Sequence, residues 1–222
     1  MSLWCGALCF LISGSGFIYG IVRLFKKGVP LYFQLMVCAA GCYALSDLHT
    51  LVGLLCGDES YGLTVVSVAI LGCFCFLVSA NYGQLDRVVD DRGKKNTKAA
   101  LIAGIFPAGI AAFMIGYAVY ISGSVTPLHI AIVLLIYLPS LPASYFSLKH
   151  LLIPVDELGL LRATRGCNIL TLTICLLEIA YLPVYLFLSD TAKIVLCIIT
   201  SAAAAALVFA CERGFRIWKT SI

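Results

Sequence analysis

The sequence predicts an all-α fold, a polytopic membrane bundle of seven transmembrane helices with the N-terminus outside and the C-terminus in the cytoplasm. Three observations predict it. The 222-residue chain is 62% hydrophobic and 12% charged, with a mean hydropathy of +1.04. Soluble domains average about 45–50% apolar and about 25% charged, so a soluble globular domain, a disordered chain and a nucleic-acid-binding module are excluded. Seven apolar runs approach the roughly 20 residues that a helix rising 1.5 Å per residue needs to cross a bilayer core of about 30 Å. The third observation is the sorting of basic residues to one side.

In order, the expected spans are 2–24, 30–56, 62–83, 99–122, 127–149, 167–189 and 193–211 of one transmembrane domain, 1–222. Span 1 meets its first charge only at Arg23, after the apolar stretch has ended. A secretory signal begins with a basic segment and has a shorter apolar core of about 7–15 residues, so span 1 is expected to stay in the mature protein. Lys26-Lys27-Gly28 separates spans 1 and 2, and Gly57-Asp58-Glu59-Ser60 separates spans 2 and 3. Span 3 ends at the polar stretch Gln84 to Lys98, and span 4 at Ser122 to Thr126. Span 5 contains the run Ile130 to Leu138, which does not alternate in polarity as a barrel strand would. Pro154 to Gly166 is expected as an amphipathic turn on the membrane surface, and Ser189-Asp190 parts spans 6 and 7.

Threading the chain this way puts 14 of the 15 Lys and Arg on one side, leaving Lys193 alone on the other. Positive charge is retained in the cytoplasm, which fixes the orientation. One helix more or fewer midway would scatter the charges over both faces. The net charge of +4 is thereby a property of topology, and the basic face can also attract anionic lipid headgroups.

Small residues and prolines mark where helices meet and bend. Gly104, Ala108, Ala112 and Gly116 recur every fourth residue in span 4, Gly16 and Gly20 do so in span 1, and Ala202 to Ala206 form a smooth stretch in span 7. Such ridges let helix backbones approach closely in lipid, so all three are expected to pack inside the bundle, with homodimerisation as the lesser alternative. Pro107 and Pro183 interrupt spans 4 and 6. Pro139 and Pro142 together in span 5, beside Ser140 and Ser144, are the expected hinge or pocket wall.

The candidate site rests on two acids at membrane depth. Asp47 lies in span 2 and Glu178 near the middle of span 6. A central Asp costs about 2.5–3.5 kcal/mol on insertion scales, and an intramembrane carboxylate usually faces the bundle interior and is paired, protonated or functional. Helical spacing puts Tyr43, Asp47 and Thr50 on one stripe, and Thr171, Glu178, Tyr181 and Tyr185 on another. Two stripes of hydroxyls around carboxylates suit a polar cavity binding a ligand or an ion. The alternative is interhelical glue at roughly 0.6 kcal/mol per hydrogen bond.

Other chemistry finds less support. The eleven cysteines, nearly all inside spans, include no C-x-x-C and read as small apolar side chains. A disulfide between Cys5 and Cys56 at the outer face is conceivable. His49 points about 200° away from Asp47, and with His129 and His150 at other depths it gives no metal site. The seven-residue spacing of His49 and Cys56 resembles the catalytic pair of membrane endopeptidases that process quorum-sensing propeptides. Those enzymes carry an arginine-rich stretch before the histidine, and Ala40 to Leu48 has no arginine. Lys193, at the outer start of span 7, is misplaced for a retinal Schiff base. No cofactor motif is present, and no constellation of nucleophile, base and metal points to an enzyme, a membrane lipid enzyme included.

The expected function is a ligand-sensing or binding seven-helix module in the plasma or bacterial inner membrane. With no output domain expected after span 7, it would signal through a separate cytoplasmic protein partner at the basic inner loops. The alternative is a small secondary transporter using the intramembrane carboxylates for proton or cation coupling. Its 3+1+3 layout would resemble the sugar-efflux carriers, although the chain lacks their Pro-Gln motifs.

Overall fold

The computed structural model describes residues 3–57, 63–86, 94–125, 127–153, 160–187 and 189–220, and all the regular structure in them is helical. Helix α1 spans Leu3–Leu24 and α2 spans Leu31–Cys56. The turn between them runs through Gly28 at φ 91° to Pro30, whose extended backbone starts α2. Gly57, at φ 67°, closes α2 by giving its N–H to the Gly53 carbonyl. A left-handed glycine at this position caps a helix without the steric cost of a Cβ.

Helix α3 (Leu63–Ala80) widens into a π turn over Asn81–Asp86, and α4 covers Lys94–Ser122. Next comes one interrupted rod: α5 (Pro127–Ile132), a π turn (Val133–Tyr137) and α6 (Leu138–Leu152). Pro139 stands in the first turn of α6 and Pro142 inside it. Neither has an amide hydrogen for the helical ladder, and wide turns of this kind gather where that ladder is broken. Helix α7 (Leu160–Phe187) and α8 (Asp190–Thr220) complete the bundle, α8 opening on Ser189, whose Oγ accepts from the Ala192 N–H at 3.4 Å.

Two expectations on helix bounds are corrected. Leu160 to Gly166 belong to α7 instead of a surface turn, and α8 runs on past residue 211 to Thr220. Residues 58–62, 87–93 and 154–159, and the side chains of His129, Pro183 and Tyr185, lie outside the described residues.

Among the described residues, six helices are long and apolar enough to cross a membrane: α1, α2, α3, α4, α7 and α8. The surface fits that setting. Leu11, Ile18, Ile105 and Phe113 are each about two-thirds exposed, whereas Ser140, Ser144, Ser147, Asn81, Asn168 and Thr171 are fully buried. A soluble protein hides its apolar side chains; extended apolar surface of this kind is what lipid covers. The apolar helices and their exposed apolar faces thus fit a multi-pass membrane protein.

Helix α2 packs against α1, α3 and α8, while α7 packs against α8, α6 and α4. Phe33, Met36, Val37, Phe74, Tyr137, Ile174 and Leu207 fill the space between them. The two glycine ridges meet different fates. A Cβ on Gly16 would lie 2.8 Å from the Ala205 Cα, and one on Gly20 would lie 2.8 Å from both Val37 and Val208. These positions allow α1 to press its backbone onto α8, as the pattern predicts. The ridge of α4 is a correction. Gly104, Ala108, Ala112 and Gly116 are exposed, and the helix turns Ala103, Pro107, Ala111 and Ala118 inward instead. Ala103, Ala111 and Ala118 are as small as the residues on the outward ridge, so residue size could not say which face meets the bundle.

Candidate functional site at the acidic pair

Asp47 and Glu178 come from α2 and α7, and each is held by a hydroxyl on another helix. Asp47 Oδ2 accepts from Ser13 Oγ of α1 at 2.6 Å and from Ser201 Oγ of α8 at 2.9 Å. Glu178 Oε1 accepts from Tyr43 Oη at 2.8 Å, and the Glu178 side chain is buried. Tyr43 precedes Asp47 by one turn on α2, so the residue that bonds Glu178 and the second acid share one helix. The acids and three hydroxyls thereby tie α1, α2, α7 and α8 together.

Among the described residues, neither acid forms an ion pair; the ion pairs lie at the helix ends. A buried carboxylate without a cation must be neutralised by a proton or by something that binds. The serines are suited to either state. Each hydroxyl has one proton and a second acceptor on its own helix: the Cys9 carbonyl for Ser13 at 3.1 Å, and the Cys197 carbonyl for Ser201 at 2.9 Å. If Asp47 loses its negative charge, both hydroxyls can turn back to these carbonyls without leaving a buried donor unpaired.

The other expected site residues occupy different surroundings. Thr50 Oγ1 donates to the Ser46 carbonyl of its own helix at 3.0 Å. Thr171 is buried two turns below Glu178, with Oγ1 3.9 Å from Met36 Sδ. Tyr181 is half-buried on α7. No disulfide joins Cys5, which is buried, to Cys56, which is exposed.

Sequence reasoning missed the neighbours that complete the site. Ser13 and Ser201 carry no distinguishing pattern, since serines are common in apolar helices. Tyr137 is the clearest omission. Its Oη donates to the Ile179 carbonyl at 2.6 Å, and that carbonyl lies four residues before Pro183. Proline has no N–H to close the helical bond there, so the phenol from the π turn supplies the missing donor beside Glu178. One turn further into α6, Ser140 Oγ donates to the Tyr137 carbonyl at 2.9 Å and Ser144 Oγ to the Ser140 carbonyl at 2.8 Å.

A second buried polar layer lies nearer the other end of the bundle. Tyr32 Oη sits 3.5 Å from both Asn81 Oδ1 and Asn168 Oδ1, and Asn81 Nδ2 donates to Ser147 Oγ at 3.2 Å. The two asparagines are the signal that could have revealed it, because a buried amide needs partners as a carboxylate does. Among the described residues no group of three or more His, Cys, Asp or Glu side chains is arranged to hold a metal ion.

No protein-family model, curated protein or solved structure matches the chain. The reading of function therefore rests on the site alone.

Proposed function

We propose that the chain is a seven-crossing membrane module that binds a cation or a cationic small molecule between Asp47 and Glu178. We further propose that occupancy is relayed to a separate cytoplasmic partner through the basic inner loops. The observation that carries the binding reading is the acidic pair itself: two carboxylates held only by hydroxyls, Glu178 by Tyr43 and Asp47 by Ser13 and Ser201, with no ion pair to either among the described residues. A cation entering between them would replace the attraction that the protein does not provide.

Helix directions support the crossing number. Helices α1 and α8 run parallel, since Ser13, Gly16, Gly20 and Arg23 meet Ser201, Ala205, Val208 and Glu212 in ascending order. Helices α2 and α7 are parallel too, with Tyr32, Met36 and Tyr43 opposite Asn168, Thr171 and Glu178. If α1 and α8 both cross the bilayer, parallel directions require an odd number of crossings. The interrupted rod 127–152 is then the seventh span, added to the six longer helices. Positive charge retention sets the N-terminus outside and the C-terminus inside.

Carriage of the bound ion is the second reading, and the π turn at Val133–Tyr137 favours it. Transporters build their sites from interrupted helices near the bilayer midplane, and this turn reaches the backbone next to Glu178. Thermal unfolding of the purified protein titrated with NaCl, KCl and tetramethylammonium chloride tests binding. A saturable rise in the midpoint for one of these salts, lost in both Asp47→Asn and Glu178→Gln, is expected. An identical response in wild type and both variants defeats the reading. Flux of the binding cation in proteoliposomes, abolished by the same substitutions, selects the carrier over the sensor.

A further inference from the structure

The fold brings together two clusters of cations that lie about as far apart as the sequence allows. Arg23, Lys26 and Lys27 end α1 and begin its following turn; Arg213, Arg216 and Lys219 lie in the last turns of α8. All six are exposed. Because α1 and α8 pack in parallel, both sets emerge at the same corner of the bundle. The only acid in residues 18–30 and 205–220 is Glu212.

Glu212 sits at the seam. Its Oε2 accepts from Tyr19 Oη at 2.6 Å, and its Oε1 accepts from Arg216 Nη2 at 2.7 Å, with Arg23 Nε 3.9 Å from the same oxygen. Two guanidiniums from two helices thus converge on one carboxylate oxygen, and a single negative charge cannot neutralise both. Each remains open to solvent, with Arg23 51% and Arg216 71% exposed. Planar guanidiniums with unused N–H donors match the oxygens of a phosphate.

What lies alongside this corner distinguishes a lipid from a free anion. Ile18 and Val22 are exposed along α1, Phe25 is exposed just past its end, and Phe209 of α8 is 53% exposed with its ring 5.0 Å from that of Tyr19. The cationic corner therefore borders an outward-facing apolar strip on both helices. A molecule with a negative headgroup and acyl chains would satisfy the cations and cover the strip at once.

We propose that the seam between α1 and α8 is a binding site for an anionic phospholipid, its phosphate held between Arg23 and Arg216 and its chains lying over Val22 and Phe209. Lys26, Lys27, Arg213 and Lys219 select a net negative headgroup over a zwitterionic one. The site is distinct from the acidic pair and does not depend on it.

The test uses the purified full chain in neutral detergent, following the thermal-unfolding midpoint during titration with phosphatidylglycerol, phosphatidylcholine or inorganic phosphate. Each cation near an anionic headgroup is worth about fivefold in affinity, so Arg23→Gln/Arg216→Gln is expected to need about 25-fold more phosphatidylglycerol for half the shift. Arg162→Gln/Arg165→Gln removes the same charge from the exposed start of α7 and is expected to change it by less than about twofold. Glu212→Gln gives a readout of opposite sign. It leaves one acceptor oxygen in place of two and removes the charge, so Tyr19 and Arg216 no longer each have a carboxylate oxygen and the lipid-free midpoint falls. Yet it is expected to strengthen phosphatidylglycerol binding by freeing both guanidiniums from that charge. Equal weakening by the α7 pair would mean diffuse attraction and overturn the site. So would an equal response to phosphatidylcholine, or inorganic phosphate matching phosphatidylglycerol.

Discussion

Tyr137→Phe removes one oxygen atom, and the structure fixes what that atom does. The Tyr137 hydroxyl donates at 2.6 Å to the Ile179 carbonyl, the acceptor that Pro183 leaves without its helical donor. Tyr137 is buried, so no water replaces the lost bond. Leaving a buried carbonyl unsatisfied costs about 1–3 kcal/mol, whereas measured interhelical hydrogen bonds in membranes average about 0.6 and reach about 1.7 kcal/mol. Both ranges together put the loss at about 1–2 kcal/mol. A double-mutant cycle isolates it. In a Pro183→Ala background the residue at 183 regains an amide hydrogen, so Tyr137→Phe is expected to cost less than about 0.5 kcal/mol, the usual limit of additivity error. Reversible unfolding in mixed micelles, followed by far-ultraviolet circular dichroism, gives the four free energies. Equal losses in the two backgrounds would refute the idea that the phenol serves the carbonyl freed by proline.

Further outcomes follow from the same geometry. Gly16→Leu is expected to destabilise the bundle by about 1–3 kcal/mol through overpacking against Ala205, whereas Gly116→Leu, whose Cβ would meet nothing within 4 Å, stays within about 0.5 kcal/mol in the same unfolding assay. Ser13→Ala and Ser201→Ala are each expected to cost about 0.6–1.7 kcal/mol, but together to cost no more than that again in an Asp47→Leu background; full additivity there would separate the serines from the acid. A membrane-impermeant charged maleimide applied outside intact cells is expected to label Cys56 and spare Cys75. Both thiols are exposed in the structure; in the proposed orientation Cys56, at the end of α2, would lie at the outer face, whereas Cys75, inside α3, would face lipid. Mass spectrometry locates the adducts, and comparable labelling of Cys75 would contradict the placement of α3 in lipid.

The helical character of the chain was legible because crossing a bilayer imposes length and apolarity on contiguous residues, and both are written locally. The same holds for α2, framed by Pro30 and Gly57. Helix ends were less legible. Helix α8 continues to Thr220 because Glu212 and Arg216 pair one turn apart and Gly214 lets α8 approach the Ala163 carbonyl of α7. A hydropathy boundary at residue 211 registers neither.

Length, apolar runs and the placing of two acids within apolar helices were properties of the sequence alone, since each depends on one helix and the solvent around it, and the sorting of basic residues needed only the order of the spans along the chain. Which helices are neighbours depends on contacts between residues up to 193 positions apart, as for Tyr19 and Glu212. Tertiary structure therefore decided that Ser13 and Ser201 meet at Asp47, that Tyr137 attends the carbonyl released by Pro183, and that the ridge of α1 is buried while that of α4 faces outward. A small-residue ridge has the same local chemistry on either helix, and only the packing partner gives it a direction.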